Sequence, residues 1–564
     1  MLNNQAAQWD MEADFVSIGS GAGGLAGAIA AHDAGGSAIV LERTSKVGGV
    51  TALSMGEVWV PGNRYAAALG VEDSPGKGFE YLRRLSMGHA DERAILNFVL
   101  HAREALAWFE EHTDLRMKAI RHCPDYFYGV DPDGVPEGRL LEIEPFPAAT
   151  LGEWAEQTRI SPQMPFGFTH DDMYEFGGTA HLAKWDFSRL AERMERDERC
   201  LGPGLAAAFV KAAVDRGIPL LTGAEAVELF SDGTRITGVR VIHDGRELAI
   251  RADKGVLIAV SSYERREDYN RSLSQQVDAG SLVFSAVDGA NFRLACPFNA
   301  RISRVPDISL LGVSLPNEED EEGHPMYRSA MAVIGLPHVI VVNRSGQRFA
   351  NESFYRDYGF KLDLVDGNTQ TQPNYPCWAI MDSQARENYP FAGLMPGQEV
   401  PEGVGHTADT LEELANLAGI DPAGLVAAVA RFNPLADQGV DPDHHRGTHP
   451  WSAWMAGDRF HQPNPNLGSL VKAPFHAIQL KRMSGSAIPA TGLLADEHCR
   501  IMSWADAPIE GLYGAGNSLA RIETGGMMQS GISNARGITT GWLAARHAMG
   551  QPSTLLAEEL ARRA

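Results

Sequence analysis

The chain has 564 residues, 44% of them hydrophobic and 21% charged, with a formal net charge of −23. Ordinary globular usage excludes a disordered chain, the length suggests two or three domains, and the acidic balance argues against nucleic acid or an anionic membrane surface as partner. Five scattered cysteines (Cys123, Cys200, Cys296, Cys377, Cys499) form no CxxC pair, which reads as reduced thiols rather than a disulfide framework, a metal site, a haem or an iron–sulfur cluster.

The N-terminal residues lack the basic start and apolar stretch of a secretory signal, and no run approaches the roughly 18 apolar residues that span a bilayer, so a cytoplasmic protein is expected. The first informative segment is the apolar run Phe15-Val16-Ser17-Ile18, followed by Gly19-Ser20-Gly21-Ala22-Gly23-Gly24. A second apolar run, Ser37–Leu41, closes on Glu42 and Arg43. This predicts a strand, a glycine turn, a helix and a second strand. The glycines allow a tight turn and a close backbone approach to a pyrophosphate. The helix N-terminus then faces the phosphates, and Glu42 stands where a carboxylate accepts hydrogen bonds from an adenosine ribose. A second flexible turn follows at Gly48-Gly49-Val50-Thr51.

Helical patterning covers 94–112 and 205–216, and the aromatic, Pro- and Gly-rich stretch 123–187 reads as loops over a cavity. Short strands are expected at 219–221, 226–229 (including Val227), 236–241 and 255–259, with an Asp244-Gly245 hairpin turn. A change of character near residue 280 marks a boundary. The segment 280–473 alternates strands, loops and a helix at 410–431, and its insertion 442–466 reads as a flap. The acidic run Glu318–Glu322 reads as a solvated loop, and His444, His445 and His449 lack metal-ligand spacing, so no metal is expected. The tail carries Gly511-Leu512-Tyr513-Gly514-Ala515-Gly516-Asn517, a strand delivering another glycine turn. It continues with Gly525-Gly526-Met527-Met528-Gln529-Ser530-Gly531, which opens a last helix at Ile532.

Together these segments resemble the flavoprotein family of fumarate reductase and succinate dehydrogenase flavoprotein subunits and the 3-ketosteroid dehydrogenases. The resemblance implies an α/β protein with a two-part, Rossmann-like FAD-binding domain (1–279 and 474–564) and an inserted α+β substrate-capping domain (280–473). It places FAD on Gly19, Gly21, Ala22, Gly23, Gly24, Glu42, Arg43, Gly48, Gly49, Val50, Thr51, Val227, Gly516, Asn517 and Ile532. The histidine that covalent members use after the second glycine turn is missing, so FAD is expected to be dissociable.

Two chemistries compete within that family. In the steroid type a ketone is polarised, a tyrosine removes the α-proton, and hydride passes from the β-carbon to flavin N5. In the fumarate type an arginine protonates an alkene held by cationic groups. The resemblance carries one pocket tyrosine to Tyr126, with Tyr128 next in order. It puts the proton-handling group at Tyr355 or Arg356, which are adjacent in Asn351–Asp357. The tyrosine that polarises the ketone in the steroid type falls on Met527, leaving the Gly531 amide for the carbonyl oxygen. The His pair of the fumarate type is missing, although Arg482 and Arg521 are available. The balance favours an FAD-dependent dehydrogenase acting beside the ketone of a steroid or smaller alicyclic substrate, with Tyr126 assisting and an external electron acceptor. The alternatives are a fumarate-reductase-like enoate reductase driven by Arg356 and a flavin-binding protein without catalysis. Oligomeric state is not legible.

Overall fold

The computed structural model describes residues 3–563 except 7, 164–166, 321 and 485–487. At its centre β1 (Met11–Ile18), α1 (Ala22–Asp33) and β2 (Ala38–Leu41) form the expected strand–turn–helix–strand unit. β1 runs parallel between β2 and the long strand Arg246–Ile258. It is covered on both faces, which is why Phe15–Ile18 read as a continuous apolar run rather than an alternation. The sheet continues outward through Pro508–Gly514 to Arg500–Met502 on one side and to Leu220–Leu221 on the other. Thus the tail supplies strands to the sheet that the N-terminus begins. Asp244 and Gly245, with φ of 50° and 72°, close the expected hairpin between Ile236–His243 and Arg246–Ile258.

The helices that flank this sheet touch through glycine. A Cβ at Gly24 would lie 1.9 Å from the Gly19 carbonyl oxygen, so α1 sits on the turn and strand as closely as backbone allows. On its other side the helix Ile532–Ala548 crosses α1. A Cβ at Gly541 would lie 2.1 Å from the Gly23 carbonyl oxygen, and one at Gly23 would lie 3.1 Å from that of Gly537.

A second sheet is built from 309–319, 325–329, 339–343, 377–381, 405–408 and 475–484, all paired antiparallel. Phe475–Ser484 pairs with three strands of this sheet. Thr491–Leu493 pairs with Ile302–Arg304, and Arg500–Met502 and Pro508–Gly514 rejoin the first sheet. The chain therefore crosses back later than the expected residue 474, because the β-rich segment after it still finds its partners in the second sheet.

Three other expectations change. The single helix over 410–431 is two, Leu411–Ala418 and Pro422–Asp437. Gly419 ends the first with φ 71° and Asp421 caps the second. The insertion 442–466 is no flap: it contains the helix Pro450–Ala456, whose Trp451 is fully buried against Tyr126, Phe354 and Tyr355. The acidic run is not free in solvent either. Glu318 pairs with Arg328, and Asp320 accepts from the Ser285 and His324 amides; Glu321 lies outside the described residues. No helix among the described residues is long and apolar enough to cross a membrane.

The glycine crossing sets a prediction. Gly541→Leu should lower stability by about 2–3 kcal/mol through overpacking and release FAD at lower temperature. Gly367→Ala, where nothing lies within 4 Å, should leave the melting curve of the holoprotein unchanged.

Candidate active site

A single cavity of about 580 Å³ runs from the glycine turn of β1 to the second sheet. Its nucleotide end is lined by Gly19, Gly21, Ala22, Gly23, Glu42, Arg43, Gly49, Val50 and Thr51. Gly19 adopts φ 107°, and a Cβ there would lie 2.3 Å from the Ala259 carbonyl oxygen, so only glycine turns the chain here. Glu42 is buried and held in place: one carboxylate oxygen accepts from Ser20 Oγ at 2.5 Å, the other from the Thr44 amide at 2.8 Å and the Thr44 hydroxyl at 2.9 Å. Thr51 Oγ1 accepts from the Ala22 amide at the first turn of α1. Arg43 pairs with Asp288 at 2.7 Å.

Gly24 and Gly48 stand behind this lining and shape it. Val227 does not face the cavity: its side chain is exposed, and the neighbouring Ala224, Glu225 and Ala226 line the wall instead. The register with Ile236–His243 shifts at this point and leaves Val227 as the extra, unpaired residue of a bulge, so the wall ends at Ala226. Ile532 is buried in the core, while Gly531, Ser533 and Asn534 on either side of it line the cavity. Farther along, Gly516 and Asn517 line the wall, and Asn517 Oδ1 accepts from Arg536 at 3.0 Å. The Ser261 hydroxyl on this wall is buried without a hydrogen-bond partner. Glycine walls, a fixed carboxylate and an orphaned hydroxyl fit a dinucleotide with a polar chain between its rings.

The other end of the cavity is apolar, lined by Phe168, Met173, Leu310, Met331, Ile488 and Met528 among others. Two phenols enter it. Tyr126 and Tyr355 line the wall with ring centroids 5.5 Å apart and ring planes perpendicular. Trp451 packs against both, at 4.3 Å and 6.0 Å. The Tyr355 and Ser530 hydroxyls act on the ionisation of Tyr126 in opposite directions, Tyr355 raising it and Ser530 lowering it. Burial raises both phenols, Tyr126 well above the ordinary range and Tyr355 to about 12. Tyr355 is held lower because the Arg356 guanidinium and the hydrogen bond from Tyr126 favour its phenolate. Of the pair, Tyr355 ionises first.

Arg356 does not line the cavity. It is buried, its guanidinium donates to the Gly526 carbonyl and stacks over Phe360 at 4.6 Å. Arg482 and Arg521 are likewise committed to backbone carbonyls: Arg482 to Leu362, Arg521 to Pro489, Gly525 and Pro306. Tyr128 lies outside the lining residues, and Met527 is buried behind Met528. Gly531 lines the cavity at φ 78° and begins the helix Ile532–Ala548.

Several residues here were not singled out from the sequence. Gln529 Oε1 accepts from the Tyr126 amide at 2.9 Å and from the Tyr81 hydroxyl at 2.8 Å, fixing the Tyr126 loop. Glu57 lines the cavity, accepts from Ser530 and faces the fully buried His170. Glu57 and His170 are 113 residues apart, and no spacing rule joins them. Trp451 lay in a segment that reads as loop.

The parallel sheet, the glycine cradle and the long cavity define a flavin-dependent oxidoreductase. The chain belongs to the FAD binding domain family, whose model matches residues 14–533. It is 31% identical over 550 residues to the 4-oxocyclohexanecarboxylate 2-dehydrogenase of Sinomonas cyclohexanicum, covering 95% of this chain and 93% of that one. It is 30% identical to the 3-oxosteroid 1-dehydrogenase of Mycolicibacterium smegmatis, covering 95% and 96%. Among solved structures it is similar to the 3-ketosteroid delta1-dehydrogenase of Sterolibacterium denitrificans in complex with 1,4-androstadiene-3,17-dione. The TM-score is 0.86, with 28% identity over 96% of this chain and 99% of that one. FAD, held without a covalent bond, is the cofactor.

His170 supplies a stability prediction. Burial opposes its charge, but Glu142 and Glu57 override this and raise it from 6.5 to about 10. A group raised on folding contributes stability that is complete below its unfolded value and is lost as pH rises through its folded value. The melting temperature should therefore decline between about pH 6.5 and pH 10. His170→Gln should flatten that decline in a thermal scan taken across the range.

Proposed function

We propose that the protein dehydrogenates the carbon–carbon bond beside the carbonyl of an apolar cyclic ketone, with Tyr355 as the base. The observation that carries this is the Tyr126–Tyr355 pair at the apolar end of the cavity. A base for an α-proton must reach a C–H bond, be shielded from water and ionise before its neighbours. Tyr355 meets all three conditions. Tyr126 donates to it, and Arg356 favours its phenolate from behind without contacting the cavity. We assign Tyr126 as the donor that stabilises the developing phenolate, and Arg356 as a positioning residue that also holds the 524–527 turn.

The ketone oxygen needs a donor aimed where negative charge develops. Gly531 begins a helix of 17 residues, and its amide, with the favourable field of the helix N-terminus, is the group we assign. Glycine is required there because a Cβ would lie 2.6 Å from the Trp59 amide nitrogen. Residues 19–24, 42–43, 48–51, 226, 516–517 and 531–534 would hold or shape the FAD site. When bound, FAD supplies the acceptor for the two electrons and hydrogen that leave the β-carbon. Return of the oxidised cofactor then falls to an external electron acceptor.

The relatives named above are dehydrogenases of a one-ring oxo acid and of 3-oxosteroids. Among the described residues, the arginines lining this cavity are Arg43 and Arg328, paired with Asp288 and with Glu318 at 2.6 Å. A substrate carboxylate finds no uncommitted guanidinium there, so an uncharged, steroid-like ketone is favoured. The same observation disfavours reduction of an unsaturated dicarboxylate, since neither Arg356 nor Arg521 points into the cavity. Free cysteines throughout the chain, four of them buried, accord with a cytoplasmic location.

Mixing the yellow holoprotein anaerobically with saturated cyclic ketones and 3-ketosteroids should bleach the flavin and yield the enone. Tyr355→Phe should slow bleaching by about 10²- to 10⁴-fold, the range of a general base, and Arg356→Gln by less. If Arg356→Gln abolishes turnover while Tyr355→Phe retains it, the assignment of the base is wrong.

A further inference from the structure

The dehydrogenation needs two groups at a fixed separation: the Gly531 amide at the ketone oxygen and Tyr126 beside the base. They stand on distant parts of the chain, and buried polar side chains that the chemistry above leaves unused join them. The Gly531 N–H finds no acceptor among the described residues, but the peptide on either side of it is held. The Ile532 amide closes a turn onto the Gln529 carbonyl at 3.3 Å, and the Gly531 carbonyl accepts from the Trp59 amide at 3.2 Å. The indole of the same Trp59 donates to Asp125 Oδ1 at 2.9 Å, immediately before Tyr126 in the chain. Trp59 therefore holds the Gly531 turn by its backbone and the Tyr126 loop by its side chain. Gln529 makes a second tie, since its Oε1 accepts from the Tyr126 amide and from the Tyr81 hydroxyl.

Asp125 is anchored in turn. Its second oxygen accepts from Arg139 at 2.7 Å and from the Val135 amide at 3.2 Å. Arg139 also donates to Asp73 at 2.6 Å and 3.1 Å, and its guanidinium lies over the rings of Trp59 and Tyr81 at 5.5 Å and 5.4 Å. Its carbonyl accepts from the Val60 amide, next to Trp59. Trp59, Tyr81, Asp125, Arg139 and Gln529 are all fully buried, and none of them lines the cavity.

Taking an aspartate and an arginine out of water costs several kcal/mol per ion, and apolar residues of similar volume hold many folds as well. What the pair adds is direction. Both Asp125 oxygens are bonded and the Arg139 fork is fixed at Asp73, so the carboxylate has one orientation and the Trp59 indole follows it. With Met527 standing where the steroid type carries its ketone-polarising tyrosine, the Gly531 amide is the one donor assigned to that oxygen. Its placement then decides how well the developing negative charge is stabilised.

We propose that Asp125 and Trp59 are positioning residues of the dehydrogenation, forming with Gln529 a brace that fixes the Gly531 amide relative to Tyr126 and the base Tyr355. This rests on the ketone dehydrogenation proposed above. Asp125 and Trp59 touch neither substrate nor cofactor and act through the amide and the phenol that they hold. The hydrogen bond from Gly531 strengthens as charge builds on the ketone oxygen. Loosening the brace therefore slows the chemical step and leaves binding of the ketone nearly unchanged.

The test compares the wild-type holoenzyme with Asp125→Asn, Trp59→Phe and Tyr81→Phe. The last deletes a single hydroxyl from the Gln529 tie, so it serves where the other two do not fold. Flavin bleaching is followed by stopped flow across a range of 4-androstene-3,17-dione and, in parallel, 4-oxocyclohexanecarboxylate. The second readout is the infrared stretch of the conjugated carbonyl in the enone product bound to oxidised holoenzyme. That product is 1,4-androstadiene-3,17-dione or, where only the small ketone reacts, 4-oxocyclohex-2-ene-1-carboxylate. Asp125→Asn and Trp59→Phe should slow bleaching at saturating ketone by about 10- to 100-fold, the scale of a misplacement of about 1 Å. The dissociation constant of the ketone should stay nearly unchanged. The carbonyl stretch, lowered in the wild type by the Gly531 hydrogen bond, should move back toward its value in apolar solvent. Tyr81→Phe should show the same pattern with a severalfold effect. Slower bleaching with an unmoved carbonyl stretch would make the network structural and overturn the brace. Variants that bleach at the wild-type rate would overturn it too, and both results leave the dehydrogenase reading intact. A wild type that neither ketone bleaches would overturn the dehydrogenase reading and the brace with it.

Discussion

The crossing of α1 with the helix Ile532–Ala548 is the contact on which the site depends. Gly23, Gly537 and Gly541 let two backbones meet with no side chain between them. This holds the turn at Gly19–Gly24 against the turn at Ala515–Asn517, although about 500 residues of chain separate them. Each half presents glycine turns and small side chains toward one cavity, and the N-terminal half adds the fixed carboxylate of Glu42. Neither half encloses it alone. The second sheet then supplies part of the apolar wall, the helix Tyr355–Leu362 that packs against it supplies Tyr355, and the loop at Tyr126 supplies the other phenol.

Charge within this enclosure is distributed by backbone rather than by ion pairing alone. Arg356, Arg521 and Arg482 spend their guanidinium donors on carbonyls, and burial lowers the pKa of Arg356 and Arg521. Their positive charge still reaches Tyr355 without entering the space where an apolar substrate would sit. Tyr126 receives the opposite influence: Glu57 and Tyr355 add to its burial and keep it protonated. Two chemically identical side chains thereby differ in how readily they ionise, which is what the donor and base roles proposed for them require. Hydroxyls in water would not separate in this way, since the interactions responsible are strong only where solvent is excluded.

Much of the nucleotide half was legible from local pattern. The run Phe15–Ile18, the glycine turn and Glu42 obey short-range rules, and the fold repeats them, with the first strand starting four residues earlier at Met11. Val227 shows the limit of such rules: a bulge in the strand pairing leaves it outside the wall that Ala224–Ala226 form, and the local pattern carries no sign of the bulge. The contest between Tyr355 and Arg356 had the same origin, because adjacent residues at the start of a helix point in different directions and the sequence carries no sign of which faces inward. The longer-range features were not legible at all. Glu57 meets His170, and Gln529 fixes Tyr126, only because separate loops converge, and the strand 475–484 chose its sheet by tertiary pairing. The aromatic cluster of Trp451 with the two phenols likewise needed the insertion 442–466 to fold inward.

The account stands on proton abstraction from the carbon beside a ketone. The most direct measurement is the rate of anaerobic flavin bleaching by a cyclic ketone carrying deuterium at the α-carbon, compared with the unlabelled ketone. The account predicts slower bleaching with the labelled ketone and formation of the enone in both reactions. Oxidised enzyme that no ketone bleaches, with reduced enzyme reoxidised by an unsaturated dicarboxylate, would contradict it.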